Sequence, residues 1–333
     1  MIASQIKTHF KSLNKFLSSL SILSISALPN FTSSSLSLLK STMNPAGTTP
    51  SYLPGILAML LGQLCFSIND ALIKYSVGLH SEQQSIFLLL FLRGLLVCVM
   101  TAGWLIGQGQ FYPKNLFALN DMHLRGCVEV LLTGAFFASI LLLPLSDVYT
   151  VMLSAPLMIT ASGAFLLKEK VHWKSWLAVI LGFCGVLIVM WPDDLGFRIA
   201  YLLPLLATAL MVLRELLTKR MAPQYRGIEV VLVTSLMTTL AGGILAFFWE
   251  TSLNFNAIPY LIGSACMLTV GYLMAVLTIR LAPISVTSPV RYSIIIFGAS
   301  SAYLILGETP SINTILGSLI IAASGLFVFQ RNR

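Results

Sequence analysis

The stretch from Pro144 to Val189, PLSDVYTVMLSAPLMITASGAFLLKEKVHWKSWLAVILGFCGVLIV, reads as an apolar helix, a short charged turn centred on Glu169, and a second apolar helix rich in small residues. From Pro283 to Val328 the chain repeats the pattern: PISVTSPVRYSIIIFGASSAYLILGETPSINTILGSLIIAASGLFV. Glu169 aligns with Glu308, and Gly185 with Gly325 after a one-residue insertion. Stacked repeats recur every ~20–50 residues; a spacing of about 139 is far longer. It marks a duplicated half-protein, with the two halves built on one plan.

Composition explains what those helices face. Of 333 residues 57% are apolar and 10% charged, and the mean hydropathy is +0.88. A water-soluble domain carries roughly 25% charged residues, so this chain lacks the polar surface to meet water on all sides. From Leu53 onward ten apolar spans are expected, near 54–76, 85–106, 125–145, 148–167, 173–191, 199–218, 229–249, 258–280, 285–306 and 311–329. Each has about the ~20 residues that cross a ~30 Å hydrocarbon core. Backbone groups in lipid must bond within the chain, so these runs are expected as helices. The five cysteines lie inside the spans without ligand spacing and read as small hydrophobes.

The basic residues orient the spans. With the N-terminus in the cytoplasm, 15 of the 20 lysines and arginines fall in inner segments, while Lys74 and Arg198 fall outside and three arginines lie within spans. That asymmetry places both termini inside. It accounts for the net charge of +8 without nucleic acid as a partner. Five spans per half is an odd number, so the halves insert in opposite senses. Their first spans also align: Asp70 matches Glu215, and Lys74 matches Lys219.

Residues 1–50 differ from the rest, being rich in serine, with four lysines and no carboxylate. Ile6, Phe10, Leu13, Leu17 and Leu20 form one helical stripe beside Lys7, Lys11 and Lys15, as a basic surface helix would. The same composition fits a targeting segment, or an extension upstream of a start at Met43. All three readings stay open.

LSDVYTVMLSAPLMITASGAFLLKEKVHWKSWLAVILGFCGVLIVMWP resembles the end of a first EamA repeat of the drug/metabolite transporter superfamily, and TSPVRYSIIIFGASSAYLILGETPSINTILGSLIIAASGLF the end of a second. The resemblance implies an all-α integral membrane protein: ten transmembrane helices as two inverted five-helix EamA repeats, 53–191 and 199–330. It implies a central cavity between spans 1–4 and 6–9, with spans 5 and 10 outside as a homodimer surface. The LKEKV and Pro-Val-Arg-Tyr runs look closest to the branch containing S-adenosylmethionine uptake transporters.

No enzyme motif stands in the sequence: there is no phosphate-binding Gly-Lys-Ser/Thr loop, no His-Glu-x-x-His, and no nucleophile set on a loop. No cofactor or metal is expected. The informative residues are charges inside spans, where each costs at least ~2.5–3.5 kcal/mol and should face a cavity or a partner. Arg93 lies deep in span 2 and Arg291 in span 9; an arginine stays charged and needs a lasting anionic partner or an anionic substrate group. Asp70 is one turn before Lys74, so either the two neutralise each other or Asp70 serves substrate and protons. Arg214 and Glu215 point about 100° apart on span 6, so one of them faces the cavity. With Asn69, Tyr149 and Tyr292, these form the expected substrate-binding set. Asp70 and Glu215 are the candidates for proton coupling.

Other polar residues read as structural. Glu129, one turn after Arg125, suits an interfacial ion pair, and Asp147 stands where an N-cap is wanted. Glu169 and Glu308 are expected to cap helix ends or fix hairpins. Pro156 and Pro289 should interrupt spans 4 and 9, either as breaks beside a cavity or as ordinary kinks that a membrane helix tolerates. Gly103–Gly107, Ala178–Gly182 and Ser318–Ala322 have small-xxx-small spacing and read as packing faces.

The expectation is therefore a secondary transporter in a bacterial inner membrane. It would move a small polar or zwitterionic organic metabolite, S-adenosylmethionine-like as the leading reading, by alternating access, with a proton or counter-solute as its partner. Two alternatives stand beside it: an exporter of the same fold with an aromatic and Met-lined cavity, and a membrane scaffold that transports nothing.

Overall fold

The computed structural model describes residues 52–79, 85–107, 121–166, 172–191, 199–220, 227–248 and 253–331. The expectations for residues 1–50 and for Glu169 lie outside them. The described segments from Tyr52 onward belong to one compact unit.

They fold into helices, with no strand among them. In order these are α1 (Leu53–Gly78), α2 (Ser85–Gly107), α3 (Asp121–Leu142), α4 (Leu145–Met152), α5 (Ala155–Leu166), α6 (Trp173–Met190), α7 (Leu202–Arg220), α8 (Gly227–Phe248), α9 (Ile258–Leu281), α10 (Ile284–Thr287), α11 (Ile294–Ser301) and α12 (Ile312–Arg331). Among the described residues, nine stretches are long and apolar enough to cross a membrane. Their outer faces are apolar: Val99, Leu131, Leu187 and Leu319 are each more than half exposed. Apolar side chains on the outside and hydroxyls within suit lipid as the solvent.

The expected fourth span is two helices. Pro144 ends α3 and starts α4 with an extended backbone, because proline cannot continue the helix before it. A turn at Leu153 and Ser154 then separates α4 from α5, just before Pro156. The Ser154 hydroxyl and N–H both donate to the Val151 carbonyl, at 2.7 and 3.0 Å, and close the turn. The ninth span is also irregular: α10 passes into a 3-10 segment over Ser288–Ser293 that opens on Pro289, then α11, then a π turn at Ala302–Leu306. Both breaks occur where the prolines predict them. Gly307, at φ 71°, ends that path in the left-handed conformation that glycine adopts without strain.

Packing runs in cross-chain pairs: α1 against α9, α2 against α8, α3 against α7, α6 against α12, and α4 against α11. The α6–α12 contact brings two glycine backbones together. A methyl group on Gly317 would meet the Gly185 carbonyl oxygen at 2.7 Å. The Ala178–Gly182 and Ser318–Ala322 faces therefore act as packing faces, and Ala178, Gly182 and Ser318 are buried. Gly103–Gly107 does not: nothing lies within 4 Å of a Cβ at either position. Small-residue spacing alone did not distinguish a helix-packing face from an open one.

Candidate functional site

Four helices carry the first polar cluster. Arg93, near the middle of α2, is 8% exposed. Its Nη1 donates to Asn69 Oδ1 of α1 at 3.2 Å, and its guanidinium carbon lies 5.1 Å from the centre of the Phe137 ring of α3. That stacking favours a desolvated cation. Arg93 Nε has no hydrogen-bond partner. Asn69 Oδ1 also accepts from Ser264 Oγ of α9 at 2.7 Å. Asn69 Nδ2 donates to Asp70 Oδ1 at 2.7 Å, and Tyr149 of α4 donates its hydroxyl to Asp70 Oδ2 at 2.6 Å. Four residues of the expected substrate set, Asn69, Asp70, Arg93 and Tyr149, thus meet at one place.

The second cluster joins α3 to α7 and α8. Glu129, 9% exposed, receives Arg214 Nη1 on both carboxylate oxygens at 3.1 and 3.2 Å. Arg125 approaches the same carboxylate at 3.8 Å and donates to Thr218 and Thr234 at 2.9 and 2.8 Å. Arg214 is thus the member of the Arg214/Glu215 pair that reaches Glu129. Glu215 instead pairs with Arg291 at 2.9 Å, with the Arg291 side chain 53% exposed. An exposed pair of this kind contributes little, about 0–1 kcal/mol.

Between the clusters lies a small cavity with Arg93 and Glu129 on its walls. Tyr272, Thr133, Thr234, Ser235 and Thr238 supply hydroxyls, and Leu90, Val97 and Leu268 supply apolar surface. A wall with fixed charge of both signs and several hydroxyls can hold a small polar solute out of water. Among the described residues no three His, Cys, Asp or Glu side chains gather as a metal site.

Several expectations are corrected by this geometry. Asp70 and Lys74 do not neutralise each other: Lys74 forms an ion pair with Glu308 and donates to the Leu143 carbonyl at 2.8 Å. Asp147 is not an N-cap. Pro144 holds that position, and Asp147 instead accepts from Tyr201 at 2.7 Å and Thr314 at 2.6 Å. Glu308 does serve a helix end, but one distant in sequence, accepting from the Leu145 amide at 2.8 Å. Tyr292 packs over Gly325 of α12 and joins neither cluster. Glu129 is central to the site and not an interfacial pair with Arg125 alone. Tyr272 and Ser264 were absent from the expected set. A lone tyrosine or serine in an apolar span gives no sign of facing a cavity, whereas Glu129, a carboxylate inside a span, did carry a signal.

Residues 53–191 match the model of the EamA-like transporter family. The chain carries an EamA-like transporter domain. It is a multi-pass membrane protein and a transporter rather than an enzyme. Among its relatives, a Rickettsia prowazekii protein named S-adenosylmethionine uptake transporter is 25% identical over 297 residues, covering 87% of this chain and 97% of that one. A Vibrio cholerae protein named riboflavin transporter is 25% identical over 190 residues, covering 56% of this chain and 63% of its own. A solved crystal structure, 17% identical, shares the fold with a TM-score of 0.58 over 84% of this chain and 98% of that one. The EamA match covers the Glu169 segment and agrees with the resemblance carried there, and the S-adenosylmethionine relatives agree with the suspected branch.

Proposed function

We propose that this EamA protein is a secondary transporter that moves a small zwitterionic metabolite, with S-adenosylmethionine as the leading substrate, across a bacterial inner membrane. The observation that carries the reading is the buried polar pair of clusters around one cavity. Arg93, Asp70, Glu129 and Arg214 all lie well inside apolar helices. Keeping such charges away from water costs several kcal/mol, which an ordinary structural protein has no reason to spend there. The naming of the Rickettsia relatives, matched over nearly their whole length, supports the substrate class.

The mechanism is alternating access by two inverted repeats, 53–191 and 199–330, with ten helices when α4–α5 and α10–α11 each count as one broken span. The packing supports it. In span numbers, first pairs with eighth and third with sixth, while second–seventh, fourth–ninth and fifth–tenth pair across the halves. That set maps onto itself when the halves are exchanged, as a two-fold relation requires. The basic-residue asymmetry supports cytoplasmic termini. The buried hydroxyls and charges of the cavity favour a polar solute over the aromatic cargo of a multidrug exporter.

A thermal-shift panel of metabolites on the purified protein tests the substrate class. A ligand at 100 times its Kd stabilises by about 2.7 kcal/mol. S-adenosylmethionine is expected to raise Tm in the wild type and not in Arg93→Ala. A panel in which only hydrophobic cations raise Tm contradicts the proposal.

A further inference from the structure

Four arginines have described side chains in this protein. Three hold a carboxylate: Arg125 and Arg214 on Glu129, and Arg291 on Glu215. Arg93, the most buried, holds none. Its Nη1 is on a neutral amide, its Nε is buried without a partner, and the residue lines the cavity. Asp70 is its complement. Among the described residues no lysine or arginine forms an ion pair with it, because Lys74 is turned to Glu308. Its two oxygens accept only from the neutral groups of Asn69 and Tyr149. A buried cation and a partly buried anion therefore stand on one network without meeting.

Asn69 is what stands between them. It is 2% exposed, and Ser264 fixes its carboxamide from across the α1–α9 interface. The amide shows its oxygen to Arg93 and its N–H to Asp70. An α-amino acid presents the same polarity: carboxylate oxygens toward a guanidinium, ammonium hydrogens toward a carboxylate. A neutral amide satisfies one bond on each side and cancels neither charge. Direct contact of Arg93 with Asp70 would neutralise both and leave no pole for a ligand.

We infer that Asn69 is a positioning residue, a neutral spacer that holds Arg93 and Asp70 apart as the two poles of a receptor for an α-amino-acid headgroup. The substrate carboxylate takes the free edge of Arg93 and the ammonium takes Asp70. The rest of the solute lies along the hydroxyl wall of the cavity. The inference rests on the transporter reading and narrows its substrate class to solutes that keep both headgroup charges.

The test is calorimetric titration of the full-length protein in lipid nanodiscs with S-adenosylmethionine, its carboxyl methyl ester and its N-acetyl derivative. Each derivative removes one charged hydrogen bond, and is expected to bind about 10-fold or more weakly in the wild type. Asn69→Asp gives Arg93 a direct counter-charge, so the preference for the free carboxylate over the ester is expected to collapse toward one. Ser264→Ala, which only loosens Asn69, reduces that preference by a smaller factor. A purely structural Asn69 would lower Tm and leave the ratio unchanged, so the ratio is the deciding readout. Equal binding of ester and parent by the wild type overturns the inference, as does an unchanged ratio in Asn69→Asp. A wild type that binds riboflavin and no amino-acid probe also overturns it, yet leaves the transporter reading standing. A protein that binds and moves neither overturns both.

Discussion

Glu308, in the turn before α12, forms an ion pair with Lys74 of α1 while its second oxygen accepts from the Leu145 amide at 2.8 Å. One carboxylate thus ties the first span to the start of α4 and to the last hairpin of the chain. Lys74 adds a bond to the Leu143 carbonyl. Both side chains are less than a quarter exposed, so the pair is shielded more than a surface one. Replacing Glu308 by Gln keeps an acceptor for Leu145 but removes the charge. The expected loss is about 1–3 kcal/mol in thermal unfolding, with Lys74→Glu/Glu308→Lys recovering part of it.

The α6–α12 seam gives a second prediction. Gly185 and Gly317 face each other so closely that a side chain on either meets backbone. Gly317→Val is expected to destabilise by about 1–3 kcal/mol through overpacking. Gly103→Ala, on an open stretch of α2, is the control and should be neutral or gain up to ~1 kcal/mol from helix propensity. Thermal unfolding in detergent compares the two.

Asp147 provides a test of structural against transport roles. Its carboxylate accepts from Tyr201 and Thr314 and so links α4 to α12 and to the entry of α7. Asp147→Leu takes the carboxylate acceptor away from Tyr201 and Thr314 and is expected to cost about 2–4 kcal/mol. Asp147→Asn keeps an acceptor and should lose about 1 kcal/mol or less. Binding of S-adenosylmethionine to the folded Asn variant should be unchanged.

The pH dependence follows from the sign of Asp70. An ammonium ligand needs the carboxylate ionised, so acidification that protonates Asp70 weakens binding, and raising the pH restores it. Asp70→Asn removes that pole at every pH. Its affinity is expected to be low and flat across the range in which wild-type affinity falls. Undiminished transport by Asp70→Asn across the pH range would remove the proton-coupling role.

How much of this was legible in the sequence depends on what kind of signal each residue leaves. Spans were legible because lipid demands long apolar runs, and the breaks at Pro156 and Pro289 because proline lacks an N–H. Arg93 and Asp70 stood out since a charge in such a run needs a reason. The partners did not. Lys74 sits one helical turn from Asp70, so local spacing suggested a pair, yet the side chain reaches Glu308 from the other end of the chain. Asp147 looked like a cap because it opens an apolar helix, while its true partners, Tyr201 and Thr314, are supplied by tertiary packing. Ser264 and Tyr272 left no mark at all, because neutral polar residues are tolerated at helix interfaces whether or not a cavity is near.

The central claim is that Arg93 and its neighbours carry a zwitterionic metabolite across the membrane. Uptake of radiolabelled S-adenosylmethionine into proteoliposomes tests it most directly, with wild type, Arg93→Ala and Arg291→Ala side by side. Saturable uptake by wild type and Arg291→Ala, with loss of at least ~100-fold in Arg93→Ala, is the predicted result: a buried charge-assisted contact of about 3 kcal/mol corresponds to that factor. Uptake by Arg93→Ala at the wild-type rate would contradict the account.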